Sequence, residues 1–254
     1  MLMKKLLWTA CAAIALTASA GINAEEYVVG TGATYRPFEY ETPQKELVGF
    51  DVDLMRAIAK AEGFDVKFIN TPWEGIFATV DKGDRDIMSG ITITDKRKQV
   101  VDFSKPYFLA HQLILTDKSV KINKLSDLSK GSVAVVSGSA GDVAASKAFG
   151  KASTRIRRFD NTPLALEELN QGGVVAAIGD IGVLAFYARN NPDKHFNMTR
   201  DPAFEEQYFG IAVKKGNQKL IDKINAGLEK VIASGEYNKI YRKWFGTDAP
   251  KLPQ

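Results

Sequence analysis

Between residues 27 and 245 the chain alternates short apolar, β-rich runs with stretches whose apolar residues recur every three or four positions. "YVVGT" at 27–31 reads as a strand. "FDVDLMRAIAKAEG" at 50–63 reads as an amphipathic helix with Leu54, Ile58 and Ala61 on one side and Gly63 as its stop. "DVKFIN" at 65–70 predicts a strand, "WEGIFATVDKG" at 73–83 a helix, and "DIMSGITI" at 86–93 another strand. After "PYFLAHQLILT" the alternation repeats, with strands at 132–137, 154–159 and 174–179 and helices from about Asp142 and at 162–172. The chain then runs through "QYFGIAVKKG" and ends in two helical patterns, 218–233 and 236–245.

Strand–helix alternation calls for mainly parallel sheets flanked by helices. Two such sets predict an α/β protein of two similar lobes, joined by extended segments near 105–115 and 205–213. Residues 25–107 with 210–254 are expected to form lobe 1, the terminal helices returning to it, and 108–209 lobe 2. Residues 1–24 are set apart as a leader. Lys4 and Lys5 open it, an apolar run follows from Leu6, and small residues mark exits at Ala20 and Ala24. The product is expected to be exported and soluble. The most apolar later run, 172–186, is interrupted by Asp180 and does not resemble a membrane span.

Composition narrows the chemistry. The formal net charge is +4, two of it carried by Lys4 and Lys5, and the basic residues are scattered. Nucleic acid is therefore not an expected partner. The single cysteine, Cys11, lies in the leader, and His111 and His195 are the only histidines. No disulfide, zinc or copper site is expected, and no cofactor. "GTGATY" lacks the last glycine of a dinucleotide fingerprint, no GK[ST] phosphate loop occurs, and "SGSAG" departs from a nucleophile elbow.

In open α/β sheets ligands sit beyond the carboxyl ends of the strands. There this sequence places Gly32 and Tyr35, Trp73, Thr92 and Arg97, the turn Gly138-Ser139-Ala140-Gly141, and Asp180. Thr94 or Asp95 can cap a short helix that holds Arg97 in its first turn, where the dipole disfavours a cation. A guanidinium fork beside the Thr92 hydroxyl makes a carboxylate receptor, to which a helix N-terminus would add N–H donors. The bland alternative is a solvated Arg97 paired with Asp95 or Asp102. The Ser139–Ala140 turn reads as a second anion-accepting nest. Asp180 either caps the helix that follows or accepts a ligand ammonium, and Tyr35 and Trp73 either join the core or flank a ligand side chain. A cation on one lobe and an anion on the other fit the zwitterion of an α-amino acid.

With these residues in place, the chain resembles the periplasmic solute-binding proteins of ABC importers for polar amino acids, solute-binding protein family 3. The blocks "GTGATYRPFEY", "LVGFDVDLMRAIA", "PWEGIFATVDKGDRDIMSGITITDKRKQVVDFSKPY", "AAIGD", "QYFGIAVKKGN" and "GEYNKIYRKWFG" carry the resemblance in order. It implies a type II two-lobe binding-protein fold, periplasmic location, an L-amino acid as ligand, a membrane permease as partner, and a monomer without enzymatic activity. By the same resemblance, the Gly90 backbone and Thr92 would help bind the amino and carboxylate groups and Arg97 would hold the carboxylate. The N–H groups around Ser139 and Ala140 would complete that site, and Asp180 would receive the ammonium. Tyr35 and Trp73 would flank the side chain, and Ser89 and Asp51 line the pocket in some relatives.

One position departs from the pattern. Gly32 stands where many relatives for basic or amide side chains carry Asp, which weakens that ligand class unless Asp51, Glu39 or a second-lobe residue substitutes. Val136 likewise replaces a polar pocket residue found in some glutamine-specific relatives. An enzyme on the same scaffold, resembling cyclohexadienyl dehydratase, would need a general acid in the pocket, for which Glu39 and Glu74 are the candidates.

Overall fold

The computed structural model describes residues 24–128 and 130–252. Apart from Ala24, the expected leader lies outside the described residues. The first stretch of chain forms β1 (Glu26–Thr31), β2 (Thr34–Tyr35), β3 (Glu39–Glu41), β4 (Leu47–Val48), α1 (Phe50–Glu62), β5 (Asp65–Asn70), α2 (Ile76–Lys82), β6 (Ile87–Thr92), α3 (Asp95–Lys98), β7 (Val101–Phe103) and β8 (Phe108–Ala110). The second forms β9 (Gln112–Thr116), β10 (Val133–Val136), α4 (Ala140–Phe149), β11 (Ile156–Phe159), α5 (Thr162–Asn170), β12 (Ala176–Asp180), α6 (Ile181–Asn190) and β13 (Asn197–Thr199). The last forms β14 (Gln207–Lys214), α7 (Gln218–Ala233) and α8 (Glu236–Phe245).

Each lobe is built on one sheet. The first runs β5-β1-β6-β14-β7, with β8 also on β14, and the second runs β11-β10-β12-β9-β13. Strands β1, β5 and β6 pair in parallel, as do β10, β11 and β12. One strand in each sheet is inverted: β14 runs antiparallel to β6, β7 and β8, and β9 antiparallel to β12 and β13. These are the strands the chain enters directly from the other lobe. Without a crossover helix before it, such a strand arrives at its sheet from the opposite end. The two crossings fall between β8 and β9 and between β13 and β14, so Phe108–Ala110 and residues 207–209, which the sequence reading assigns to lobe 2, pair with each other within the lobe 1 sheet.

Local chemistry sets most element ends. Gly63, in the left-handed region, closes α1 with its N–H on the Ala59 carbonyl. The helix expected over 73–83 begins only at Ile76, because Gly75 with φ 81° stops the turn containing Trp73 from joining it. Ser139 caps α4, its hydroxyl accepting the Asp142 N–H at 3.2 Å, so that helix starts two residues earlier than its apolar pattern indicates. The small antiparallel sheet β2–β3–β4 has no counterpart in the sequence reading. It matters below because it carries Tyr35 and Glu39.

The two cores differ in composition. In lobe 1 the Phe38 ring meets Phe108 at 4.8 Å, Phe209 at 5.2 Å and Phe50 at 6.1 Å. Such aromatic pairs contribute about 0.5–1.5 kcal/mol each beyond their burial. In lobe 2 the alternation of strand residues sorts small aliphatics onto two faces. Leu113, Leu115, Ala134 and Ala177 lie on one, and Ile114, Val133, Val135, Ala176 and Ile178 on the other. The lobes touch where α6 begins: a Cβ on Gly182 would lie 2.5 Å from Phe38 Cζ, and Val183 joins the lobe 1 core. Among the described residues no helix is long and apolar enough to cross a membrane.

Candidate functional site

A cavity of about 370 Å³ opens between the lobes at the carboxyl ends of β1, β6, β10 and β12. Gly32, Tyr35, Trp73, Ser89, Gly90, Thr92, Arg97, Ser139, Ala140 and Asp180 all line it.

Thr94 caps α3 by accepting the Arg97 N–H at 3.2 Å, and the Arg97 side chain folds back over the strand end. Its Nη1 donates to the Thr92 carbonyl at 2.9 Å, and its guanidinium lies 5.1 Å from the Trp73 ring centre and 5.6 Å from that of Phe77. The carboxylates that could have neutralised it are taken. Asp95 holds Lys98 at 3.4 Å, and Asp102 holds Lys215 at 2.5 Å. Among the described residues Arg97 forms no ion pair, and burial lowers its proton affinity while the field of Asp180 opposes this. The helix α3 has four residues, and Thr94 takes the Arg97 N–H, so that donor is not offered to an anion.

Asp180 sits at the N-cap position of α6 yet makes no capping hydrogen bond. Its carboxylate instead accepts Gln112 Nε2 at 2.7 Å on Oδ1 and the Tyr35 hydroxyl on Oδ2. The polar side chain thus serves the cleft. Burial raises its pKa, and the two hydrogen bonds and Arg97 hold it back. In the 137–140 turn the Ser139 N–H is occupied by the Val136 carbonyl and the Asp142 N–H by the Ser139 hydroxyl, which leaves the N–H groups of Ala140 and Gly141 to meet a ligand anion. Besides the Tyr35–Asp180 hydrogen bond, lobe 1 reaches lobe 2 at this turn, where Trp73 Nε1 donates to the Ser137 carbonyl at 2.9 Å and Arg97 Nη2 to the Gly138 carbonyl at 3.4 Å.

Asp51 is the sequence candidate that the structure keeps out of the cavity. It lies 1% exposed behind Gly90, which has a φ of 68° and where a Cβ would lie only 2.8 Å from the carboxylate. Its Oδ1 accepts the Tyr107 hydroxyl at 2.8 Å, and that hydroxyl accepts the Gly90 N–H at 2.7 Å. Gly90 therefore has only its carbonyl to offer a ligand.

Glu39 takes the place that Asp51 does not. It lines the cavity from β3, with the Gly32 N–H on Oε1 at 2.7 Å and the Ser89 hydroxyl on Oε2 at 3.2 Å. A Cβ on Gly32 would lie 3.0 Å from Glu39 Oε1, so an aspartate at position 32 would crowd this carboxylate. Gly32 and Glu39 form one arrangement. Gln112 is the residue sequence reasoning missed, and its signal was a lone amide in the apolar run "QLILT". The cavity also has a charge imbalance: Arg97 is its only basic lining residue among those described, against Glu39, Glu74, Asp160 and Asp180.

Comparison with known proteins places this geometry in context. Residues 27–247 match the bacterial extracellular solute-binding proteins, family 3. The chain is 42% identical over 251 residues to the probable histidine-binding protein of Neisseria gonorrhoeae, covering 94% of each chain. The arginine-, lysine-, histidine-binding protein ArtJ of Geobacillus stearothermophilus is 42% identical and superposes with a TM-score of 0.84, over 89% of this chain and 97% of that one. An ancestral amino acid-binding protein, a precursor of cyclohexadienyl dehydratase, is 37% identical with a TM-score of 0.79, over 87% and 95%.

Proposed function

We propose a role from one premise, that this chain belongs to the bacterial extracellular solute-binding proteins of family 3: it captures a cationic L-amino acid in the periplasm and delivers it to the permease of an ABC importer. Arg97 takes the α-carboxylate, aided by Thr92 and the N–H groups from Ala140 on. Asp180, steadied by Gln112 and Tyr35, takes the α-ammonium. Tyr35 and Trp73 flank the side chain, and Glu39 meets its charged end.

The charge census of the cavity carries the reading. An amino acid zwitterion matches Arg97 with its carboxylate and Asp180 with its ammonium. Glu39, Glu74 and Asp160 then remain without a basic partner in the lining, and a cationic side chain supplies one. The names of the histidine-binding relative and of the arginine-, lysine-, histidine-binding structure support the same class.

Because Arg97 and Asp180 belong to different lobes, the ligand bridges them and favours the closed arrangement, as hinge closure requires. It can shift that equilibrium only by its differential affinity for the two forms. Micromolar binding needs about −8 kcal/mol, within reach of several charge-assisted bonds after ordering costs. The test is calorimetry of the mature protein, unfolded and refolded to strip bound ligand, against the common L-amino acids. Tightest binding of arginine, lysine or histidine without turnover is expected. Tightest binding of a neutral amino acid, or conversion of a cyclic acid, contradicts the reading.

A further inference from the structure

Glu39 and Asp51 face each other across Gly90. A Cβ built there would lie 2.8 Å from Asp51 Oδ2 and 4.0 Å from Glu39 Oε1. The two residues are 6% and 1% exposed, and every hydrogen bond they accept comes from a neutral group: the Gly32 N–H, the Ser89 hydroxyl and the Tyr107 hydroxyl. Asp51 Oδ2 is buried with no partner. Two carboxyls this close in a poorly solvated site do not both ionise freely. Burial first, and the Asp51 carboxyl second, hold Glu39 well above the usual carboxyl range, while burial pushes Asp51 up to about 8.

Among the described residues no cation acts on the pair. Glu39 comes from β3, Asp51 from the start of α1, Tyr35 from β2, and Tyr107 from the segment before β8. Both tyrosine hydroxyls are themselves pushed up by burial and by the carboxyls, so they keep their protons. Arg97 acts on Asp180 rather than on this pair.

We propose that a cationic ligand side chain arriving at Glu39 expels a proton from the Glu39–Asp51 pair, so the cleft loads its ligand by exchanging a proton for a cation. The inference rests on the cationic-ligand reading above. The O–H bond of the Glu39 carboxyl breaks, its proton leaves to solvent, and the carboxylate pairs with the incoming guanidinium or ammonium. Nothing is oxidised or reduced. Asp51 never touches the cavity. It acts through Glu39 as a positioning residue: negative charge on its buried, unpartnered carboxyl tightens the hold of Glu39 on its own proton.

The sign follows from linkage. The free protein binds the proton more tightly than the complex does, so affinity rises with pH until the pair has ionised in the free protein, then levels off. The test titrates the full mature chain with L-arginine and L-lysine, whose side chains stay charged, in buffers of contrasting ionisation heat. At pH 6.5 the measured heat should vary with buffer, reporting release of close to one proton. Affinity should tighten up to about tenfold from pH 6 to 7 and level off once the pair has ionised in the free protein. L-glutamine provides the baseline, because any proton lost from Asp180 accompanies every amino acid. Asp51→Asn should reduce the release, and if that variant does not fold, the wild-type titration decides alone. Cationic binding with heat independent of buffer, with release no larger than the glutamine baseline, or with flat affinity from pH 6 to 8, overturns the exchange and leaves the ligand class standing. Binding of neither L-arginine nor L-lysine also overturns it. The ligand class itself falls if histidine fails as well, or if a neutral amino acid binds tightest.

Discussion

The two lobes share a plan but contribute differently to the cleft between them. Lobe 1 presents side chains of distinct chemistry: Arg97, Glu39, Tyr35 and Trp73, seated on an aromatic core around Phe38. Lobe 2 presents the 137–140 turn and aliphatic side chains, together with the buried carboxylate of Asp180 and the exposed one of Asp160, on a core of aliphatics. The difference suggests a division of labour. The lobe that carries Arg97, Glu39 and the aromatics chooses the ligand, and the other closes with its turn and Asp180 on the part that all amino acids share.

The sharpest break in that comparison is Arg97→Ala. It removes the only basic group among the described residues that line the cavity and leaves a ligand carboxylate without its fork. Losing one partner of such a buried charged pair costs about 3–5 kcal/mol, so affinity should fall on the order of a thousandfold by calorimetry. Asp180→Asn keeps the shape and removes the charge from lobe 2. A weakening of about 1.5–3 kcal/mol is expected, nearly equal for every amino acid bound, and measured as parallel shifts across a ligand series. Gly182→Ala touches no ligand group. Its new methyl would press on Phe38 where the lobes meet, an overpacking cost of about 1–3 kcal/mol against closure. Affinity should drop by about fivefold at the lower end of that range, with selectivity unchanged, and small-angle scattering should show a larger radius of gyration at a ligand concentration that closes the wild type.

Much of this architecture is legible in the sequence, and the reasons for the exceptions are physical. Strand ends at Thr31, Thr92 and Asp180 follow from apolar runs and turn residues, and the rule that ligands gather there leads to Arg97 and Asp180 without coordinates. The small sheet carrying Glu39 is set by pairing with strands only two or three residues long, too short for periodicity to register. Whether Asp51 or Glu39 reaches the cavity depends on Gly90 standing between them, a distant contact no local pattern encodes. The missing aspartate at position 32 weakened the case for a basic ligand on sequence alone. In the structure Glu39 occupies that space, seven residues along the chain but one hydrogen bond away.

The division of labour is tested most directly by one ratio: the affinity for the preferred cationic amino acid over that for L-glutamine, by calorimetry, in the wild type and in Glu39→Gln. The ratio should fall by about tenfold or more in Glu39→Gln, as loss of a charged hydrogen bond requires. An unchanged ratio in Glu39→Gln would contradict the assignment of ligand choice to lobe 1.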